Sequence, residues 1–214
     1  MKIVKRIGIT QRVEYLANRD ERRDCLDQRW ITILLKMNLL PIPLPNNIIE
    51  IKKIIPQLNL HGIILSGGND LSDLNDAKDT APERDKFEHG LIDFCADSNI
   101  PLLGICRGLQ IITTHYGGSI EHVKNHVAKL HELKVIDPDI LPLTNRNKVN
   151  SFHQYGIISS KTGNKLKILA VADENTVEAV AHKKYKQWGI MWHPERKPFD
   201  PQDLKIIKRI FNEE

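Results

Sequence analysis

Ile100-Pro101-Leu102-Leu103-Gly104-Ile105-Cys106-Arg107-Gly108-Leu109-Gln110 decides how the chain is read, because an apolar run turns at one residue into a helical pattern. A strand that turns sharply into a helix forces its turn residue into strained geometry. Glycines two places before and after it, here Gly104 and Gly108, remove Cβ atoms that would collide. The apex side chain is lifted toward solvent, with the first free amides of the helix directed at it. That apex residue is Cys106. A helix N-terminus favours a thiolate, and the amide of Arg107 is placed to donate to an oxyanion. The other reading of the same residues is a buried cysteine behind a strand, a common place for cysteine.

A cysteine nucleophile needs a base, and the base needs a group that orients it. Near the end of the chain, Gln187 to Trp192 reads as a strand running into His193-Pro194-Glu195. Proline fixes its own φ and extends the residue before it, so His193 and Glu195 should project to one side. Glu195 then accepts a hydrogen bond from one ring nitrogen and leaves the other for the thiol. The plainer reading is a turn closing a strand, with both groups solvated. In α/β-hydrolases the acid precedes the histidine, and here it follows.

Gly104 to Gln110 followed by Trp192-His193-Pro194-Glu195 resembles the class I glutamine amidotransferase superfamily, and within it the γ-glutamyl hydrolase branch, the C26 peptidase type. The resemblance implies Cys106, His193 and Glu195 as a catalytic triad. Leu60 to Leu65 reads as a buried strand ending in Ser66-Gly67-Gly68-Asn69-Asp70, and paired glycines let backbone amides approach a ligand closely. The resemblance places the second oxyanion-hole amide at Gly68, beside that of Arg107; without Cys106 the segment reads as a tight turn. Gln110 lies one helical turn after Cys106 on the same face. By resemblance it holds the amino-acid end of a glutamyl substrate, where otherwise it would be an exposed helical glutamine.

Asn150-Ser151-Phe152-His153-Gln154-Tyr155 follows a loop at Thr144 to Lys148 and resembles the segment that grips the substrate α-carboxylate. Ser151, Phe152 and Gln154 are the candidates there, against a plain surface loop, while His153 orders the loop rather than taking part in chemistry. The charged run Arg19 to Asp24 reads as the solvated start of a helix that continues through Ile31 to Leu35. Arginine also clamps phosphate or carboxylate bidentately. Arg22, Arg23 and Arg29, with Gln28 and Trp30, are therefore candidates for gripping the leaving group.

Strand-like runs at Arg6 to Thr10, Leu40 to Leu44, Gly62 to Ser66 and Pro101 to Ile105 alternate with helical patterns, the signature of an α/β fold with a mostly parallel sheet flanked by helices. The resemblance makes this a class I glutamine amidotransferase-like, flavodoxin-like sheet. Further strands at Glu132 to Asp137, Leu166 to Asp173, Thr176 to His182 and Gln187 to Trp192 lack intervening helices and should form an antiparallel extension. Asp200 caps a last helix that starts with Pro201 and runs to about Phe211. With 41% hydrophobic residues over 214 positions and no linker or repeat, residues 1–214 read as one domain.

Three cysteines make no disulfide framework, and Cys25 and Cys95 read as ordinary helix residues. No signal peptide or membrane span is visible, so the expected location is the cytoplasm, with no membrane partner. The net charge of +4 comes from 31 basic residues scattered among 27 acids, a pattern that argues against nucleic acid. His122, His126 and His131 lie in a polar stretch without paired carboxylate or cysteine ligands, and read as solvated rather than as a metal site. No metal or organic cofactor is expected, and a homo-oligomer is compatible with the chain.

The expected chemistry is hydrolysis of a γ-glutamyl amide through a γ-glutamyl thioester. Similarity along the chain also implies, within that branch, a nucleotide-linked γ-glutamyl phosphoramidate of capsule assembly as the small-molecule substrate. The alternatives are a γ-glutamyl-γ-aminobutyrate-type hydrolase, a glutaminase subunit passing ammonia to a synthetase, and a non-catalytic binding protein of the same fold.

Overall fold

The computed structural model describes residues 4–124, 126–143, 147–172 and 175–212. The first half holds β1 (Lys5–Thr10), β2 (Arg12–Leu16), β3 (Glu21–Cys25), α1 (Gln28–Lys36), β4 (Leu39–Leu44), a short α2 (Ile51–Ile54), β5 (Gly62–Leu65), α3 (Pro82–Ser98), β6 (Leu102–Ile105) and α4 (Arg107–His115). The second half is mostly strands: β7 (Glu121–His122), β8 (Val127–Glu132), β9 (Lys134–Val135), β10 (Lys148–Phe152), β11 (Tyr155–Gly156), β12 (Leu166–Val171), β13 (Val177–His182) and β14 (Gln187–Ile190), closed by α5 (Pro201–Phe211).

Eight strands form one sheet in the order β4-β1-β5-β6-β14-β13-β12-β9. The first five run parallel and the last four pair antiparallel, as the sequence pattern predicts. β5 and β6 are buried at every residue, as strands covered on both faces must be. The expected strands contract slightly at their ends: Gln187 to Trp192 stops at Ile190, and Glu132 to Asp137 becomes the end of β8 plus β9. Asp173 and Thr144 to Arg146 lie outside the described residues. Among the described residues, no helix is long and apolar enough to cross a membrane.

Two helix starts follow from capping. The Asp27 side chain accepts from the Arg29 amide and opens α1, and Asp200 does the same for Gln202 at α5, where Pro201 takes the first helical position. The run Arg19 to Asp24 is not the start of a helix. Glu21–Cys25 is a strand paired antiparallel with Arg12–Leu16, so Cys25 also leaves the helix expected for it. Glu14 stands opposite Arg23 in this hairpin, an opposite-charge pair of the kind that favours pairing. Asp24 then ties the hairpin down by accepting from the amide and the Nδ2 of Asn46, at 3.0 and 2.7 Å.

Three adjacent strands end together. Leu65 of β5 pairs with Gly104 of β6, and Ile105 pairs with Ile190 of β14. The segments that follow, starting at Ser66, Cys106 and Met191, therefore emerge side by side at the carboxyl edge of the sheet, where open α/β sheets bind ligands. A buried ionic cluster lies under this edge. Glu88 is fully buried and accepts from Thr10 Oγ1 at 2.6 Å, from Arg84 Nε at 2.9 Å and from Arg107 Nη1. Arg84, equally buried, donates to the carbonyl oxygens of Ser66 and Gly68, each at 2.6 Å, and of Gly67.

Close packing at the elbow sets a tight steric limit. A Cβ on Gly108 would lie 2.2 Å from the Leu65 carbonyl oxygen, and one on Gly104 would lie 2.4 Å from backbone atoms of Gly108. In urea titrations Gly108→Ala is expected to lose roughly 1–3 kcal/mol of stability through overpacking. Glu88→Gln is expected to lose about 3–5 kcal/mol, because buried Arg84 is left without its carboxylate and Arg107 keeps only Asp85. Unchanged midpoints in both variants would show that this edge is looser than its contacts imply.

Candidate active site

Cys106 occupies the turn between β6 and α4 with φ 52° and ψ −102°, the strained backbone of an elbow. Its amide is fixed by a 2.8 Å hydrogen bond to the Ile190 carbonyl, so the elbow is bonded to the strand that leads to His193. Arg107 is the first residue of α4, and its amide has no acceptor within the helix. Gly68 lies in the loop after β5 with φ 86°, a conformation that glycine adopts without strain, and a Cβ there would meet the Arg12 side chain at 3.2 Å. Gly67 lies between the reacting side chains. A Cβ there would sit 2.9 Å from His193 Cε1 and 3.6 Å from Cys106 Cβ.

His193 and Glu195 meet as expected: Nδ1 of the ring is 2.7 Å from Glu195 Oε1, and both residues are buried. The cause differs from a shared strand face. β14 has ended at Ile190, and a turn closed by the Arg196 amide on the His193 carbonyl brings the pair together. Asn150 holds this turn from outside by accepting from the His193 amide and donating to its carbonyl, each at 2.9 Å. Nε2 of His193 is buried and makes no hydrogen bond of ordinary geometry. Burial alone pushes the ring toward neutrality, but the Cys106 thiolate charge and contact with its sulfur, with Glu195 added, outweigh it and hold His193 up at about 10. The ring of His193 is thus held protonated beside the Cys106 side chain.

The substrate candidates divide. Gln110 is buried rather than an exposed helical side chain, and its Nε2 donates to the Tyr155 carbonyl at 2.8 Å. Asn150 to Phe152 is strand rather than loop, paired with β8. Ser151 is fully buried, its hydroxyl donating to the His126 carbonyl at 2.5 Å. Phe152 stands edge-on to His193 with ring centroids 6.0 Å apart, and the Arg196 guanidinium lies 3.9 Å over its ring. Gln154 is exposed, and its carbonyl accepts from the Val123 amide.

On the opposite wall the hairpin of β2 and β3 replaces the expected helix start. The cavity beside His193 is lined by Arg12, Cys25, Trp30, Gly68, Glu195 and Arg196, among others. Arg12, not Arg23, is the hairpin's contribution; Arg23 pairs with Glu21, and Arg22 with Glu83, on the exposed side. Arg29 is committed to Asp27 yet close enough to feel the Glu195 charge. Gln28 begins α1 and is exposed. Sequence reasoning passed over Arg12, Arg84, Glu88 and Asn150; the Asn150 signal lay within the quoted cluster, and the other three looked like ordinary surface charges.

The histidines at 126 and 131 are not solvated. His126 and His131 are buried together with His153 and Glu178, while His122 remains exposed. Burial and the neighbouring imidazoles keep His153 neutral, its pKa pushed down to about 3. Glu178 sits in β13 beside the turn, and its carbonyl accepts from the Met191 amide at 2.8 Å.

The chain is 36% identical over 209 residues to the γ-glutamyl-CDP-amidate hydrolase of Campylobacter jejuni, covering 96% of this chain and 97% of that protein. It is 28% identical over 202 residues to the γ-glutamyl-γ-aminobutyrate hydrolase of Escherichia coli O157:H7, covering 79% and 78%. A solved structure described as a GMP synthase subunit from Thermoplasma acidophilum shares the fold at TM-score 0.73 and 19% identity, over 99% of this chain and 94% of that one. A glutamine amidotransferase from Thermotoga maritima does so at TM-score 0.65 and 18% identity, over 90% and 77%. The profile of the peptidase C26 family matches residues 5–195, and the chain belongs to that family.

Proposed function

We propose that this protein hydrolyses a γ-glutamyl amide bond through a thioester on Cys106, and that its substrate is γ-glutamyl-CDP-amidate, cleaved to glutamate and cytidine diphosphoramidate. The observation that carries the reaction is the strained elbow of Cys106 bonded to the strand of His193, whose ring is oriented by Glu195 at 2.7 Å. Support for the leaving group comes from the near full-length similarity to the C. jejuni hydrolase. The arginines about the cavity, Arg12 and Arg196 with Arg29 close by, have the charge that a diphosphate needs.

The Cys106 thiolate attacks the γ-carbonyl carbon, and the oxyanion collects the amides of Arg107 and Gly68. His193, already protonated, delivers its proton to the departing nitrogen, so the amidate leaves neutral at that atom. The ring then takes a proton from water, which attacks the thioester, and glutamate departs as the thiolate reforms. Glu195 keeps Nδ1 protonated through both steps. The free thiols at Cys25, Cys95 and Cys106 suit a reducing compartment, consistent with capsule precursor synthesis in the cytoplasm.

Turnover of γ-glutamyl-CDP-amidate, γ-glutamyl-γ-aminobutyrate and free glutamine by the purified protein separates the readings. The nucleotide substrate should be preferred by at least tenfold in kcat/KM. Glutamine hydrolysed while the other two are ignored would make the protein an ammonia-supplying subunit, and no glutamate from any of them would make it a binding protein. Cys106→Ala should abolish turnover and trapping of the thioester, and full activity there would remove the nucleophile assignment.

The charge state of His193 gives a separate expectation. Because its folded pKa is raised to about 10, the stabilisation carried by the protonated ring is fully present below the unfolded value near 6.5 and is lost as pH rises through about 10. Imidazole NMR should therefore show a protonated His193 at pH 8. In Cys106→Ala the opposing charge is gone, burial dominates, and the ring should be neutral at the same pH; a ring neutral in both proteins contradicts the ion pair.

A further inference from the structure

We infer that His126, His131, His153 and Glu178 form a structural site for a divalent transition-metal ion, with zinc as its natural occupant, distinct from the Cys106 centre. One ligating atom from each of these four buried side chains lies within 4.8 Å of every other. The set joins parts of the chain far apart in sequence: His126 immediately before β8, His131 within it, His153 just after β10, and Glu178 in β13.

The hydrogen bonds around His153 decide what the cluster needs. Its Nδ1 lies 2.9 Å from the Tyr155 carbonyl oxygen, which can only accept, so Nδ1 carries the hydrogen. With Nδ1 committed to that carbonyl, Nε2 is the ring nitrogen left to ligate a metal. That atom is buried without a hydrogen-bond partner and faces Glu178 Oε1 at 3.9 Å, an oxygen that also carries lone pairs. The second carboxylate oxygen, Oε2, is buried without a partner too. A carboxyl oxygen and a ring nitrogen facing one another in a dry interior need a proton or a cation between them, and a cation also takes up the imidazoles that gather at the same carboxyl group. His131 brings a third donor atom, Nδ1, to 3.4 Å from the same oxygen, and the His126 ring packs edge-on against His131 with centroids 4.2 Å apart.

Three imidazole nitrogens and one carboxylate oxygen match zinc in type and number, and four protein ligands describe a closed, structural site. Bond lengths of about 2.0–2.1 Å place tetrahedral ligand atoms roughly 3.3 Å apart, so metal binding would draw the four atoms inward from separations that reach 3.4 and 3.9 Å for two pairs and stay within 4.8 Å for all. The Nδ1-to-carbonyl bond of His153 is the arrangement by which proteins fix a ligating imidazole. Zinc here would cross-link β8, the end of β10 and β13. Glu178 also bonds through its carbonyl to Met191, two residues before His193, so the cross-link would brace the turn that carries His193.

The test uses the full-length protein as Cys106→Ala, so that the nucleophilic thiol cannot bind the metal. The protein is equilibrated with micromolar zinc sulfate, gel-filtered and analysed for metal, and its Tm is compared with and without zinc. One zinc per chain is expected, with a Tm rise of about 5–10 °C at a hundredfold excess over Kd. His153→Ala and Glu178→Ala should each weaken binding at least tenfold and lose the Tm rise. Should those variants fail to fold, cobalt(II) replaces zinc in the Cys106→Ala protein and should give the visible bands of a four-coordinate nitrogen and oxygen site, without thiolate charge transfer. No retained zinc and no such cobalt bands, or full zinc occupancy persisting in His153→Ala, would overturn the site.

Discussion

The buried carboxylate of Glu88 is the constraint on which the edge of the sheet depends. Removing it from water disfavours its charge, but Arg107 and Arg84, with the Thr10 hydroxyl, hold its pKa below the ordinary carboxylate value. Burial likewise pushes Arg84 down to about 10, which still leaves it charged at neutral pH. Such a cluster is weak evidence for stability, since a well-packed apolar core often does as well. Its contribution is positional. Arg84 fixes three successive carbonyls of the β5 loop, and Arg107, the residue after the nucleophile, is anchored through its side chain to Glu88 and Asp85. The two proposed oxyanion donors thus belong to backbone segments tied to one carboxylate.

What could be read from the chain follows the range of the forces involved. The elbow was legible because its requirement is local: Gly104 and Gly108 are needed by atoms within or beside the same turn. His193 and Glu195 were legible for the same reason, two residues apart around a proline. The Glu88 cluster was hidden, since Arg84 and Glu88 one turn apart on a charged helix look like a surface pair until the loop carbonyls and Arg107 arrive from other elements. The hairpin at Arg12 to Cys25 was misread because charged residues alternate weakly there, and what settles it is distant: Asn46 holding Asp24, and Asn69 bonding both backbone groups of Val13. The histidine set was misread as solvated because its members face each other only after β8, β10 and β13 have assembled.

The cleft has two unlike walls. One side is formed by strand ends and the elbow, held by backbone bonds that vary little with side-chain identity. The other side is the hairpin and the start of α1, which bring Arg12, Cys25 and Trp30 to the cavity.

Asn150 grips both backbone groups of His193 while the next but one residue, Phe152, stands against the imidazole. Strand β10 and the histidine turn are therefore tied to one another at two successive points. Under the function proposed above, a glutamyl group pressing on this strand would also steer the proton donor, and part of its affinity would be converted into alignment. Substrates that seat poorly there would lose turnover as well as binding, and discrimination would register in kcat rather than in KM alone.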